Sequence, residues 1–369
     1  VASAMAVASS NAGTKGVAVA LAFTAGFVLI TQNGVNTNLR QNAVSQALPA
    51  ALVSFSVGLI TILLIAVVHR PSLKGVRIRE APWYAYTGGL LGPVYVVTAI
   101  LLSPVLGFAT FQLAAITGQL FSSLIVDALG FVVQRRKPTV GRVLALTAIV
   151  VGCALTTIGV DSESEGGWVV KMLSCMWVIC AGAIFPVQAC VNARMTQYVL
   201  TPFRATVVSF TGGVTVLLIL SAISVPISGG MEVNPGEPWM WTGGCLGAFC
   251  VLSNAIGVPA IGAASYSAIF LAAQLSAAFV YDWIGAFGFT AVEPTLQRVT
   301  GVVLAACGAV VYQLVGRRPD ALEIHSETTD ESATAKETTT PSSVKLGEVG
   351  AAGAGEDVQA SSLAESQEV

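Results

Sequence analysis

The sequence predicts an all-α membrane protein with ten transmembrane helices, arranged as two inverted five-helix repeats and followed by a disordered tail. Three observations lead to this fold class. The 369 residues are 54% hydrophobic and only 10% charged, whereas soluble domains are about a quarter charged. The few charges lie outside long apolar segments. Short motifs within those segments recur at a nearly constant offset along the chain.

The charge-free segments give the number of helices, because a helix that spans a bilayer needs about 20 apolar residues. Eight segments contain no Asp, Glu, Lys or Arg: residues 16–39, 41–69, 81–126, 143–160, 172–193, 205–231, 238–281 and 299–316. Two of the segments, 81–126 and 238–281, are long enough for two helices each. Each breaks at a matching Pro and Gly pair where a tight turn is expected. Ten spans follow.

Matching motifs in the two halves of the chain define a repeat of about 155 residues. The matched sets are Gln32-x-x-Val35-Asn36 with Gln188-x-x-Val191-Asn192, Thr87-Gly88-Gly89-x-Leu91-Gly92 with Thr242-Gly243-Gly244-x-Leu246-Gly247, Gln119 and Asp127 with Gln274 and Asp282, and Arg142 with Arg298. We therefore expect a short N-terminal segment over 1–15, five-helix repeats over 16–160 and 168–318, and a tail over 319–369.

Each repeat has an odd number of helices, so the second repeat enters the membrane from the opposite side. The loops and helix ends of one face hold thirteen Lys and Arg residues, whereas the other face holds three. Since basic residues favour the cytoplasmic side, we expect both termini in the cytoplasm of a plasma membrane, or of the inner membrane in a bacterium. Inverted repeats of this kind are typical of secondary transporters.

Amide side chains within the apolar segments are the candidate substrate-binding residues. Gln119 and Gln274 fall near the middle of the fourth and ninth helices. Two further pairs lie one helical turn apart on the first and sixth helices: Gln32 with Asn36, and Gln188 with Asn192. Such amides suit the lining of a cavity, but they suit hydrogen bonds between helices equally well.

Two acidic residues, Asp127 and Asp282, end otherwise uncharged segments and are the candidate proton-coupling or gating groups. A carboxylate in a membrane is costly and is rarely kept without a use. The structural alternative is an ion pair near a helix end. For Asp127 the nearby candidates are Arg135 and Arg136, whereas no comparable basic cluster follows Asp282.

Other chemistries lack the residues that they need. The only histidines are His69 and His325, the seven cysteines lie in apolar segments, and there is no Cys-x-x-Cys pair. We therefore expect no metal, no cofactor and no enzymatic activity. The expected partners are a small-molecule substrate, the lipid bilayer and, as a candidate, protons. No nucleic acid is expected, and the protein should be a monomer or a homodimer.

The tail from residue 319 onward carries eleven acids against Lys336 and Lys345, and it has no apolar periodicity. Such a composition predicts disorder. Its simplest role is that of a solvated terminus. An alternative function for the whole chain is a non-transporting membrane scaffold that recruits partners through this tail.

The motifs resemble those of the YdcZ family of inner-membrane exporters, within the drug/metabolite transporter superfamily. The resemblance rests on Gly118-Gln119-Leu120 with Asp127 and Gly130, on the Gly-Gly-x-Leu-Gly segments, and on the motif that begins at Gln32. It covers roughly residues 16–316 in two copies, as in a fused pair of single units.

The resemblance implies an exporter-like fold without naming a substrate. Small multidrug-resistance relatives use a glutamate in the first helix, but residues 16–39 contain no acid. Cationic-drug antiport by that mechanism is therefore not expected. The function predicted from the residues and the resemblance together is export of a small metabolite or drug-like molecule by alternating access, with proton coupling as a candidate feature.

Overall fold

The computed structural model describes residues 12–69, 74–130, 138–157 and 167–315. The predictions for most of the N-terminal segment, for Arg135 and Arg136, and for the acidic tail fall outside these residues.

Ten long helices run through the described ranges, as the charge-free segments predict. They are α1 (Ala12–Asn42), α2 (Ala47–His69), α3 (Gly88–Leu106), α4 (Phe108–Leu129), α5 (Val140–Thr157), α6 (Gly167–Val199), α7 (Pro202–Ile227), α8 (Gly243–Ile261), α9 (Ala263–Ile284) and α10 (Leu296–Val315). Nine are long and apolar enough to cross a bilayer, and α5 is a shorter apolar helix. The fold class predicted from the sequence is confirmed.

The two repeats, α1–α5 and α6–α10, interlock. The first helix of each repeat packs against the third and fourth helices of the other repeat: α1 lies against α8 and α9, and α6 lies against α3 and α4. Three further contacts pair equivalent helices, namely α2 with α7, α4 with α9 and α5 with α10. An in-plane two-fold axis between inverted repeats produces this set of contacts.

A single glycine joins the third and fourth helices of each repeat. Gly107 connects α3 to α4 with φ 75° and ψ 163°, and Gly262 connects α8 to α9 with φ 81° and ψ 150°. A positive φ of this kind is readily adopted only by glycine. The two hairpins therefore have the same local conformation, and each begins its second helix abruptly.

Glycines also set the spacing between helices, as the Gly-Gly segments predict. A Cβ atom added to Gly89 of α3 would overlap Gly212 of α7, and one added to Gly244 of α8 would overlap the backbone of α2 at Gly58. Because lipid offers no hydrophobic drive for helices to associate, such close backbone contact is a main source of cohesion between them.

The closest glycine contact joins α4 to α6. A Cβ on Gly118 would overlap the carbonyl of Ile179, and a Cβ on Gly182 would overlap the carbonyl of Ala115. Both obstacles are backbone atoms, which cannot move aside as the end of a flexible side chain can. This contact fixes the position of α4 relative to α6.

We predict that Gly118→Ala destabilises the protein by about 1–3 kcal/mol, the usual cost of forcing extra atoms into a filled contact. Thermal unfolding of the purified protein in detergent, followed by tryptophan fluorescence, measures the effect. The matched control is Gly16→Ala in α1, where an added Cβ would meet nothing within 4 Å. Equal unfolding temperatures for the two variants would contradict the proposed close contact.

Candidate functional site

The helical bundle has two ends, and each holds one of the aspartates; they are the Asp282 face and the Asp127 face. On the Asp282 face, α9 ends and α4 begins, whereas on the Asp127 face α4 ends and α9 begins. The antiparallel helices α4 and α9 come from different repeats and contact each other. A buried apolar cluster at their contact contains Leu113, Ile116, Leu271 and Leu275.

A chain of buried polar side chains runs from this crossing towards the Asp282 face. Asn33 Nδ2 donates to the Tyr95 hydroxyl at 3.5 Å, and that hydroxyl donates to Gln112 Oε1 at 3.3 Å. Gln112 Nε2 then donates to Gln274 Oε1 at 2.5 Å. These four residues, the buried polar chain, are each at most 3% exposed. They connect α1, α3 and α4 of the first repeat to α9 of the second.

One donor in the buried polar chain is unused. Among the residues that the structure describes, Gln274 Nε2 has no hydrogen-bond partner. A buried polar group without a partner costs about 1–3 kcal/mol. The spare donor lies near the middle of α9, and a ligand with an acceptor atom would satisfy it. The substrate-binding role of Gln274 stays a prediction.

The polar chain has no copy in the other half of the molecule. Its repeat-related positions are Ala189 for Asn33, Cys250 for Tyr95, Ser267 for Gln112, and Gln119 for Gln274. Gln119 is partly exposed, whereas Gln274 is buried. The two glutamines therefore have different surroundings despite their matching positions. Sequence reasoning missed Asn33, Tyr95 and Gln112 because it looked for residues that occur twice.

The amides of the first and sixth helices lie at helix contacts. Gln32 and Asn36 approach Gly247 and Gly243 of α8. Their repeat-related residues approach α3 in the same way: Gln188 Nε2 donates to the carbonyl of Gly88 at 3.1 Å, and Asn192 lies against the same glycine. The structure thus places all four residues between helices, which is the second of the two roles that the sequence allows.

Asp282 holds three helices together on its face. Its carboxylate accepts hydrogen bonds from the backbone N–H groups of Phe108 at 2.6 Å and Ala109 at 3.0 Å. It also pairs with Arg298 of α10 at 3.1 Å, and both side chains are at most 5% exposed. The first amides of a helix have no partner within the helix. Asp282 satisfies two of them for α4 from the opposite repeat.

Asp127 makes a similar ion pair in more open surroundings. It pairs with Arg142 of α5 at 2.6 Å, and its side chain is 18% exposed. The guanidinium of Arg142 also lies 5.1 Å from the ring centroid of Tyr312. Neither arginine is close to its aspartate in sequence. The sequence feature that could have identified them as partners of the aspartates is the repeat, since Arg142 and Arg298 occupy matching positions.

The Asp282 face is closed. Every residue of α4 from Phe108 to Gly118 is buried. On this side α1 packs along α3. A Cβ on Gly107 would lie only 3.2 Å from the Asp282 carboxylate.

Aromatic side chains complete the closure. Phe108 contacts Tyr281, Phe287 and Phe289. The backbone carbonyl of Phe287 accepts a hydrogen bond from Asn38 Nδ2 at 2.8 Å. Phe287 has a φ of 60°, which is unusual for a residue with a side chain. The surrounding contacts hold this segment against the end of α1.

The Asp127 face is comparatively open. In the corresponding start of α9, the described side chains of Ser265, Ser267, Ile269 and Phe270 are partly exposed. The helices α6 and α8, which correspond to α1 and α3, scarcely touch in the described ranges. A Cβ on Gly262 would meet nothing within 4 Å. The two faces therefore differ although their sequences correspond.

A separate apolar cavity of about 560 Å³ lies between α2, α3, α6 and α7. Its polar lining is limited to Thr98, Ser174 and Trp177. The indole N–H of Trp177 donates to the Thr98 hydroxyl at 3.1 Å. None of the lining residues belongs to the buried polar chain, so this cavity is distinct from the site at the α4–α9 crossing.

Comparison with known proteins agrees with this architecture. No curated protein matches the chain. One solved structure, described as "Crystal structure of protein", aligns with a TM-score of 0.53 and 17% identity. The alignment covers 82% of this chain and 98% of that one. At that identity the match shows a shared fold. The sequence model described as "Putative inner membrane exporter, YdcZ" matches residues 17–155 and again residues 173–311. The chain is therefore a multi-pass membrane protein that belongs to the YdcZ exporter family and contains the family's unit twice.

Proposed function

We propose that the protein is a secondary transporter that exports a small, uncharged, polar solute by alternating access. The observation that carries this proposal is the buried polar chain at the crossing of α4 and α9, with its spare donor on Gln274. The site joins the two repeats, which is where transporters built from inverted repeats bind their substrates.

The substrate class follows from the lack of charged side chains in the buried polar chain itself. The residues of the polar chain lie in segments 16–39, 81–126 and 238–281, none of which contains an Asp, Glu, Lys or Arg. A charged solute would lose its hydration there without an opposite charge on any of these four side chains, and the nearby Asp282 carboxylate is already paired with Arg298. The cost would be several kcal/mol or more. An uncharged solute could instead exchange its water contacts for amide and phenol hydrogen bonds.

The difference between the two faces supports alternating access. The Asp282 face is closed, whereas the Asp127 face is open enough to leave Gln119 and the start of α9 partly exposed. The basic loops favour a cytoplasmic position for the Asp127 face. In this orientation, the conformation would receive solute from the cytoplasm, as an exporter requires. Exchanging the conformations of the two repeats would open the Asp282 face for release.

The ion pairs favour gating over proton transfer as the role of the aspartates. Each carboxylate is bonded to an arginine, at 2.6 Å for Asp127 and at 3.1 Å for Asp282. A carboxylate with a fixed positive partner is a poor proton carrier because protonation would leave the arginine unpaired. We therefore propose that transport proceeds without a pH gradient.

We predict that Gln274→Ala and Tyr95→Phe lower the rate of solute uptake into reconstituted vesicles by about tenfold, the effect of losing about 1.4 kcal/mol of substrate binding. The assay is a screen of uncharged and charged solutes, run with and without a pH gradient. Gln46→Ala is the matched control, since Gln46 lies at an exposed bond to Gly230. A substrate with a net charge would overturn the proposed class, and unchanged rates for Gln274→Ala would overturn the site.

Removing residues 319–369 should leave uptake intact, whereas a tail-dependent scaffold would lose its activity.

We further predict that a cysteine at position 189 reacts from the cytoplasmic side. Ala189 is exposed, and it faces the gap between α6 and α8 because its counterpart Asn33 faces Tyr95 of α3. The seven native cysteines are first replaced by alanine, and a membrane-impermeant maleimide is then applied to each side of sealed vesicles. Ala189→Cys should react at least about tenfold faster than Ala99→Cys, whose position is 1% exposed. Reaction of Ala189→Cys from the outside alone would reverse the proposed orientation.

A further inference from the structure

We propose that Asp127 and Asp282 are alternating latches between the two repeats. Each aspartate caps the first amides of a helix in the opposite repeat, and it does so in only one of the two transport conformations. This inference rests on the alternating access proposed above. The present conformation has the Asp282 latch closed and the Asp127 latch open.

The closed latch shows the interaction in full. Phe108 and Ala109 are the first residues of α4, so their N–H groups point away from the helix with no partner of their own. Both bond to the Asp282 carboxylate. A negative charge at this end of a helix is also favoured by the helix dipole. The bonds cross between repeats, and they hold the end of α9 against the start of α4.

The second latch has the same parts, held apart. Asp127 stands 155 residues before Asp282, and Arg142 takes the place of Arg298. The helix to be capped is α9, which begins at Ala263 after Gly262. Gly262 and Gly107 have nearly the same φ and ψ. The start of α9 therefore already has the backbone conformation with which the start of α4 binds the Asp282 carboxylate. The space beside Gly262 is empty of described residues to 4 Å.

The arginines keep each carboxylate in place when its latch is open. Arg142 bonds to Asp127 at 2.6 Å in the open latch, so the ion pair does not depend on the capping bonds. Tyr312, which lies 5.1 Å from the guanidinium, supports Arg142 from α10. Arg142 and Arg298 therefore act as positioning residues. A carboxylate that releases the helix that it caps stays bonded to its arginine.

The geometry of α4 and α9 explains why the latches alternate. Both latches connect these two antiparallel helices, one latch at each end of the pair. The helices cross at the apolar cluster around Ile116 and Leu271 and are tied there by the bond from Gln112 to Gln274. When two stiff rods touch near their middles and one rocks about that contact, the rods approach at one end and separate at the other. Closing the Asp127 latch would therefore break the capping bonds of Asp282.

Hydrogen–deuterium exchange of the full chain in lipid nanodiscs tests this mechanism without any substrate. The readout is the exchange rate of the first amides of α4 and of α9, resolved by mass spectrometry. In the unchanged protein, the α4 amides should exchange at least about tenfold more slowly than those of α9. Asp282 bonds to the α4 amides, whereas the Asp127 carboxylate lies more than 4 Å from the position of a Cβ on Gly262, at the start of α9.

The variants should have reciprocal effects. Asp282→Ala should speed exchange at the start of α4 about tenfold and slow it at the start of α9. Asp127→Ala should slow exchange at the start of α4 further, although Asp127 lies at the opposite end of α4 and does not bond to its first amides. Asp282→Asn should keep most of the protection, since asparagine caps a helix nearly as well as aspartate. The control is Glu232→Ala, an exposed acid outside both latches.

The effect of Asp127→Ala on α4 decides the outcome. An ordinary structural cap would alter exchange only in the helix that it caps, which for Asp127 would be α9. Unchanged exchange at Phe108 and Ala109, at the far end of α4 from Asp127, would therefore overturn the proposal. The partly exposed position of Asp127 makes this variant the safer one to fold. Because exchange is measured without solute, the result is separate from the transport assay. Reciprocal exchange with no detectable transport would support the latches while removing the proposed function.

Discussion

The structure depends on one constraint: a helix that begins inside a packed protein must find partners for its first backbone amides. Water is excluded there, and unpaired amides are costly. A one-residue hairpin at Gly107 starts α4 with no loop to supply such partners. A carboxylate from the other repeat supplies them instead. The positions of Asp282, Arg298 and Gly107 follow from this need, and so does the contact between the two repeats on that face.

The same constraint applies to α9, yet its solution in this conformation differs. The repeat-related residues Asp127, Arg142 and Gly262 are present, but the face to which they belong is open. Two copies of one sequence motif thus occupy two states within a single molecule. Inverted repeats make this possible because each copy faces a different side of the membrane. In the proposed mechanism, the capping of a helix by an aspartate, which is a constant contact in most folds, is made by each repeat in turn.

The sequence predicted the fold well because the membrane penalises charge strongly. Eight charge-free segments, two of them long enough for two helices each, and a repeat of about 155 residues left little freedom in helix number or topology. The partners of the aspartates were harder to predict, since closeness in sequence favoured Arg135 and Arg136 over Arg142. Asp127 lies near the end of α4 and Arg142 in the first turn of α5, so the pairing of the two helices brings them together across the loop. The matching positions of Arg142 and Arg298 were the better signal.

Of the buried polar chain, only Gln274 could be predicted from the repeat, through its match with Gln119. Residues that occur in both copies, such as Gln32 and Gln188, lie at contacts that both halves need for packing. Asn33, Tyr95 and Gln112 occur in one copy only, and they become neighbours only after four helices have packed. Shared residues therefore describe the common scaffold, whereas the unshared ones distinguish one side of the molecule from the other.

That distinction bears on how such a protein can evolve. A transporter assembled from two identical subunits must carry every residue twice, so its two orientations are equal in energy by symmetry. In this chain Asn33 faces one side while Ala189 holds the equivalent place on the other. Joining the units in one polypeptide released each copy to change alone. A few substitutions in one copy can then make one of the two conformations lower in energy. The side of the membrane from which solute first enters is set by that conformation.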